Sequence, residues 1–177
     1  MKRIILITLC LFLTGVIFAQ SNEKKAVKKL PSIVIKTVDG KTINTSDLIN
    51  NGKPFIITFW ATWCKPCQKE LTAINEVYDD WQKETGVKII VVSIDDARSS
   101  ANVLPLINGK GWTYQFLLDV NSEFKRAMNV NNIPHTFIIN GNGEIVWQHT
   151  SFSEGSELEV IDLIRKLNKG ESISETK

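Results

Sequence analysis

The residues with the clearest chemical purpose are Trp63-Cys64-Lys65-Pro66-Cys67. Two thiols two residues apart can close a small ring. Such a ring constrains little of the unfolded chain, so stability is a poor reason for it. Reversible exchange is a better one. An apolar run precedes the pair and a helical pattern follows it, which places Cys64 at a helix N-terminus. The unpaired N–H groups and the macrodipole there favour a thiolate and lower its pKa. Lys65 adds a positive charge, and Pro66 sits in the first turn, where its missing N–H costs little. Cys67 lies one turn in and deeper. Cys64 can then attack a substrate disulfide, and Cys67 can resolve the mixed disulfide.

Other chemistries for these thiols are weaker. Cys64, Cys67, His135 and His149 make a formal zinc set, but His149 falls on an outer strand. A Cu(I) site from Cys64, Cys67 and His135 stays open, because soft thiolates suit that ion. With it stays a metal- or thiol-protein-binding module that uses the fold without turnover. A peroxidatic reading fails: Pro54 and Thr58 have the required spacing, but Ala61 stands where the cysteine belongs. Disulfide exchange needs no metal and no cofactor. Glu70, three residues after Cys67, shares its helix face. It reads either as a solvated glutamate or as a carboxylate beside the cysteines.

The elements that position the pair follow from the apolar pattern. Phe55 to Trp60 is a nearly continuous apolar run, as in a strand buried on both faces. Cys64 to Lys83 has helical spacing, with Leu71, Ile74, Tyr78 and Trp81 on one face, and Gly86 ends it. Val87 to Ile94 is a second buried strand. Arg98 to Asn108 is helical, with Pro105 expected to kink or interrupt it. Gln115 to Leu118 is a short strand and Asn121 to Met128 a short helix. Thr136 to Asn140 and Glu144 to His149 form a hairpin around Gly141-Asn142-Gly143. A last helix starts at a capping box of Ser156 and Glu159 and carries Leu158, Ile161, Ile164 and Leu167. Upstream, Leu30 to Val38 turns at Asp39-Gly40 into Thr42 to Asn44, and Thr45 or Ser46 caps a short turn. The order predicts an α/β fold with helices on both faces of a sheet that is parallel in the middle and antiparallel at one side.

Composition agrees with one globular domain: 177 residues, 43% hydrophobic and 23% charged. The net charge of +2 gives no basic stripe of the kind that nucleic-acid binders carry. Lys2, Arg3, the uncharged run Ile4 to Phe18, and Ala19 read as a signal peptide cleaved after Ala19. The run is short of the ~20 apolar residues of a membrane span, so an uncleaved anchor is the lesser reading. Cys10 leaves with this segment. The expected organisation is a signal peptide at 1–19, a flexible tether at 20–29, one domain at 30–169 and a polar tail at 170–177. A periplasmic or other extracytoplasmic monomer follows.

With these residues in view, the chain resembles the thioredoxin superfamily, and within it the secreted TlpA/ResA-like thiol–disulfide oxidoreductases. The match is carried by Asp39-Gly40-Lys41 through Ser46-Asp47-Leu48, and by Gly52-Lys53-Pro54 running into Phe59 to Cys67. It continues in Gly111-Trp112-Thr113 with Leu117-Leu118-Asp119, and in Ile133-Pro134-His135 through Asn140. The resemblance implies a thioredoxin fold: a central mixed sheet flanked by helices on both faces, with an extra N-terminal β-hairpin. It implies catalysis by Cys64 and Cys67, and a cis Ile133–Pro134 bond beside them whose backbone pairs with substrate. Trp63, Lys65 and Pro66 then belong to the docking surface. Glu70 becomes a carboxylate that tunes proton transfer. Thr58 stands where thioredoxin has a buried Asp, which leaves Glu70 as the candidate base. His135 stands where Thr is common; it could add positive potential or point into solvent. The implied partners are disulfide-containing client proteins and a membrane thiol donor. The implied direction is reduction, in cytochrome c maturation or in general disulfide repair.

Overall fold

A computed structural model describes residues 28–173. The expected signal peptide, Cys10, most of the tether and the end of the tail lie outside the described residues.

Phe55–Trp60 forms β3 and is buried at every position. Its continuous apolar character follows from having a strand on each side and packed layers on both faces. β4 (Lys88–Ser93) pairs with it in parallel and β6 (His135–Ile139) antiparallel. β5 (Gln115–Leu118) extends the sheet beyond β4, again in parallel. The hairpin of β1 (Val34–Thr37) and β2 (Thr42–Asn44) then adds to β5 through an antiparallel β1. β7 (Ile145–Thr150) closes the other side, antiparallel to β6. The sheet order is β2-β1-β5-β4-β3-β6-β7. Antiparallel pairing therefore occurs on both sides of the parallel centre, and the expectation of one side missed the docking of the N-terminal hairpin on β5.

The helices are α1 (Lys65–Thr85), α2 (Val103–Lys110), α3 (Glu123–Ala127) and α4 (Ser156–Asn168). α1, α2 and α4 cover one face. There Leu71, Ile74, Val103, Ile107, Ile161 and Ile164 pack with Ile56, Trp60, Ile89 and Ile138. α3 and the Ile33–Leu48 region cover the other face, over Phe55, Ile57, Phe59, Val92 and Phe137. Side chains alternate along each strand. Ile56, Thr58 and Trp60 therefore face α1, and so do Thr136 and Ile138. Thr58 and Thr136 are register partners across β3 and β6, and both are buried.

Several local expectations change. Pro105 does not break its helix, because a 3-10 turn at Ser100–Asn102 precedes α2 and puts the proline in the first turn. No capping box forms at Ser156: Gly155, at φ 90°, takes the N-cap position, and the Glu157 carboxylate accepts its N–H at 3.0 Å. Leu158 is exposed, while Val160 is buried with Ile161 and Ile164. Asn44, rather than Thr45 or Ser46, caps the 3-10 turn at Thr45–Asp47. Lys28 and Lys29, assigned to the tether, are already paired with the β6–β7 turn. Ile145 N–H donates to Lys28 C=O at 2.8 Å, and Leu30 N–H donates to Gly143 C=O at 3.0 Å. That turn also passes so close to the Asn51-Gly52 turn that a Cβ on Gly141 would lie 1.9 Å from the Gly52 carbonyl oxygen.

Candidate active site

The Cys64–Cys67 pair sits where β3 ends and α1 begins. Cys64 is the N-cap of α1, and Pro66 falls in the first turn. The two cysteines form a disulfide. The Cys67 N–H donates to Cys64 Sγ at 3.3 Å, so the sulfur occupies the place where an N-cap side chain satisfies the free donors of a helix. Cys67 is fully buried and Cys64 nearly so. Trp63, just outside, is 63% exposed, and Lys65 and Pro66 are also exposed. The burial of Cys67 places it in the apolar layer under α1.

The loop before Cys64 is fixed by a group that the sequence reading missed. Asp95 follows β4 and is buried. Its carboxylate accepts from Thr62 N–H (2.9 Å), Thr62 Oγ1 (2.6 Å) and Ser93 Oγ (2.8 Å). Gln68 Nε2 donates to the Thr62 carbonyl at 2.6 Å. Thr62 is thereby held from both the sheet and the helix, one residue before Trp63. An acidic residue directly after an apolar strand was the available signal, since a buried carboxylate needs donors.

Glu70 is not a solvated helix glutamate. It is only 6% exposed, one turn beyond Cys67 on α1. Thr58 Oγ1 donates to Glu70 Oε2 at 3.2 Å, and Thr136 Oγ1 donates to Glu70 Oε1 at 2.9 Å. The two hydroxyls are themselves 3.0 Å apart. Burial pushes the Glu70 pKa up to about 7, against the two hydroxyl contacts that lower it; Glu157 of α4 adds a smaller upward push. The carboxyl is thus poised to exchange a proton near neutral pH. The threonines were overlooked as site residues. Their signal was a single hydroxyl on each of two apolar runs, inside Phe55 to Trp60 and at the head of Phe137 to Ile139, where a buried hydroxyl demands a partner.

The Ile133–Pro134 bond is cis, as the family resemblance implies. The Ile133 carbonyl oxygen lies 3.9 Å from Cys64 Sγ. His135 does not join the cysteines. Its neighbour Thr136 faces α1, so His135 faces the opposite layer, where it stacks on Phe137 at 4.4 Å between ring centroids. Burial lowers its pKa, against a hydrogen bond with Gln148 that raises it, and so disfavours a positive charge there. Its Nδ1 lies 3.4 Å from Thr150 Oγ1. It does not point into solvent either. The set of Cys64, Cys67 and His135 is therefore split across the sheet. Among the described residues no group of three His, Cys, Asp or Glu side chains is placed to hold a metal.

The chain is similar to known proteins. Residues 26–148 match the AhpC/TSA family. The thiol-disulfide oxidoreductase ResA of Bacillus thuringiensis (strain Al Hakam) is 33% identical over 131 residues, covering 74% of this chain and 73% of that protein. ResA of Geobacillus thermodenitrificans (strain NG80-2) is 32% identical over 149 residues, covering 82% and 83%. The solution structure of a thioredoxin-like protein from Porphyromonas gingivalis is 55% identical with a TM-score of 0.71, covering 79% of this chain and 92% of that one. With Ala61 in place of a peroxidatic cysteine and a Cys-x-x-Cys pair at the head of α1, the chain belongs to the AhpC/TSA family as a thiol–disulfide oxidoreductase of thioredoxin fold, related to ResA.

Proposed function

We propose that this chain is an exported reductant of client-protein disulfides. Cys64 is the attacking thiolate, Cys67 the resolving thiol and Glu70 the proton acceptor. The observation that carries the assignment is the asymmetry of the pair. Cys64 caps the helix beside exposed Trp63, while Cys67 is fully buried one turn from a buried carboxyl.

The chemistry runs in two exchanges. The Cys64 thiolate attacks one sulfur of the client disulfide, and the first client thiolate leaves. Cys67 passes its proton to Glu70, and its thiolate attacks Cys64 Sγ. The second client thiolate leaves, and the Cys64–Cys67 disulfide remains. Two electrons have moved to the client. The helix N-terminus stabilises the Cys64 thiolate, so this sulfur needs no base. Trp63, Lys65 and Pro66 surround the point of attack, and the Ile133–Pro134 backbone beside Cys64 offers a client segment main-chain pairing. A membrane thiol donor would return the pair to the dithiol. The fitting clients are exported thiol pairs, such as the Cys-x-x-Cys-His of an apocytochrome before haem attachment, or misformed disulfides in general. An N-terminal segment with the features of residues 1–19 supports export.

Two measurements test this. Cys67→Ser should accumulate a mixed disulfide with client through Cys64, and Cys64→Ser should accumulate none; the reverse pattern would exchange the roles. The reduction potential of the pair should fall near that of thioredoxin, about −270 mV. A value near about −120 mV would make the protein an oxidant.

A further inference from the structure

We propose that Thr58 and Thr136 are positioning residues that close a ring of three hydrogen-bonding groups with Glu70, so that the carboxyl takes up and releases a proton without moving. This rests on the reading of Glu70 as the proton acceptor of Cys67.

The geometry is a triangle. Thr58 Oγ1 lies 3.2 Å from Glu70 Oε2, Thr136 Oγ1 lies 2.9 Å from Glu70 Oε1, and the hydroxyl oxygens are 3.0 Å apart. Each hydroxyl has one proton to give and lone pairs to accept. When Glu70 is ionised, two protons serve two carboxylate oxygens: Thr58 donates to one and Thr136 to the other. When Glu70 is protonated, three protons serve three edges. The carboxyl O–H donates to Thr58, Thr58 donates to Thr136, and Thr136 donates to the remaining carboxyl oxygen. Every proton has an acceptor in both states, and only hydroxyl hydrogens rotate between them. A buried polar group left unpaired in either state would resist the transfer.

The placement comes from the fold. Thr58 and Thr136 are register partners on β3 and β6 and share the face under α1. The other elements packed here bring few titratable groups. α4 contributes Glu157, which raises the Glu70 pKa. Just before β5 stands Tyr114, whose hydroxyl is committed to the Leu71 carbonyl at 2.7 Å. α1 itself contributes Cys64 and Cys67. His135 on β6 faces away.

The test is a titration of the Glu70 side-chain carboxyl by 13C NMR in the full-length oxidised protein, alongside the pH dependence of mixed-disulfide resolution in the reduced protein. Variants are Thr58→Val, Thr136→Val, Thr58→Ser, Thr136→Ser and Glu70→Gln. Valine keeps the shape and removes the hydroxyl. Each valine variant should raise the Glu70 midpoint by ~1 pH unit, a tenfold change in proton affinity, and move the acid limb of the rate profile by the same amount. Each serine variant should restore both. Valine variants that titrate as the parent does, or serine variants that behave as valine does, would overturn the ring. If the ring shifts the midpoint but neither the valine variants nor Glu70→Gln alter the rate profile, the ring stands and the proton-acceptor reading falls. If Glu70→Gln removes the limb while the valine variants leave the midpoint in place, the reading stands and the ring falls.

Discussion

Glu70→Gln should stabilise the oxidised protein at alkaline pH while impairing its turnover. Glu70 titrates at about 7 in the folded protein, against an ordinary value of 4.5, chiefly because burial disfavours its charge. Below about pH 4.5 the carboxyl is protonated in both folded and unfolded chains and adds no difference. Between 4.5 and 7 the unfolded chain ionises while the folded one keeps its proton, so stability falls as pH rises. Above 7 the whole cost is present. A displacement from 4.5 to about 7, at 1.36 kcal/mol per pH unit, corresponds to about 3 kcal/mol. Glutamine fills the same volume, accepts from one threonine, donates to the other and carries no charge. The stability of Glu70→Gln relative to the parent should therefore rise by about 3 kcal/mol between pH 4.5 and pH 8. For a domain of this size that is on the order of 10 °C in Tm. Urea unfolding at the two pH values measures it, with the disulfide intact so that neither cysteine titrates. Groups common to both proteins cancel in the difference. Parallel stability profiles, with the difference constant to within about 0.5 kcal/mol, would refute the burial cost assigned to Glu70.

Other substitutions probe the frame around the site. Gly141→Ala should lower stability by more than ~2 kcal/mol, because its Cβ meets the Gly52 carbonyl at 1.9 Å; thermal unfolding reads it. Asp95→Ala should cost ~1–3 kcal/mol by leaving one buried donor at Ser93 and two part-buried donors at Thr62 without their acceptor, and Asp95→Asn, which keeps one acceptor oxygen, should cost less in the same urea titration. Trp63→Ala should change stability by less than ~0.5 kcal/mol, because the ring is largely exposed. It should raise KM for a protein disulfide while leaving the reduction of a small aromatic disulfide near the parental rate.

The parts of the molecule that were legible in the sequence are those set by local pattern. The continuous run at Phe55–Trp60 reads directly as a strand with two covered faces, and Leu71, Ile74, Tyr78 and Trp81 read as one buried stripe. The cysteine pair is legible because its spacing serves exchange and little else. The cis bond at Ile133–Pro134 was legible only through family resemblance, since cis is a minority state even before proline. Non-local facts were not legible. Helical spacing places Glu70 on the face of Cys67, but its burial depends on which strands lie beneath α1. The pairing of Thr58 with Thr136 depends on β3 and β6 being neighbours, although 78 residues separate them. The environment of His135 was decided by the same parity, because only one of two successive β6 residues can face α1. At Ser156 the local rule lost to the backbone: Gly155 adopts a left-handed conformation and takes the capping position.

The two cysteines face different proton problems, and the fold answers each on a different side of α1. At the solvent end, the helix N-terminus with Lys65 beside it supplies a positive environment, and the Cys67 N–H reaches Cys64 Sγ at 3.3 Å. A base there would be redundant, and the exposed neighbours are Trp63, Lys65 and Pro66. At the sheet side, Cys67 is fully buried, where desolvation opposes a thiolate. A base for that sulfur must be buried as well, so it bears the same desolvation. An isolated buried carboxylate would be held as the acid and could accept nothing. Two hydroxyls offset part of that penalty and bring Glu70 to about 7 rather than higher. Two lysines in their place would overshoot and leave a carboxylate too weak to hold a proton. With Glu70 as the proposed proton acceptor, uncharged donors on the strands under α1 are therefore the choice that would let this carboxyl work in both directions, and Thr58 and Thr136 are placed to supply them.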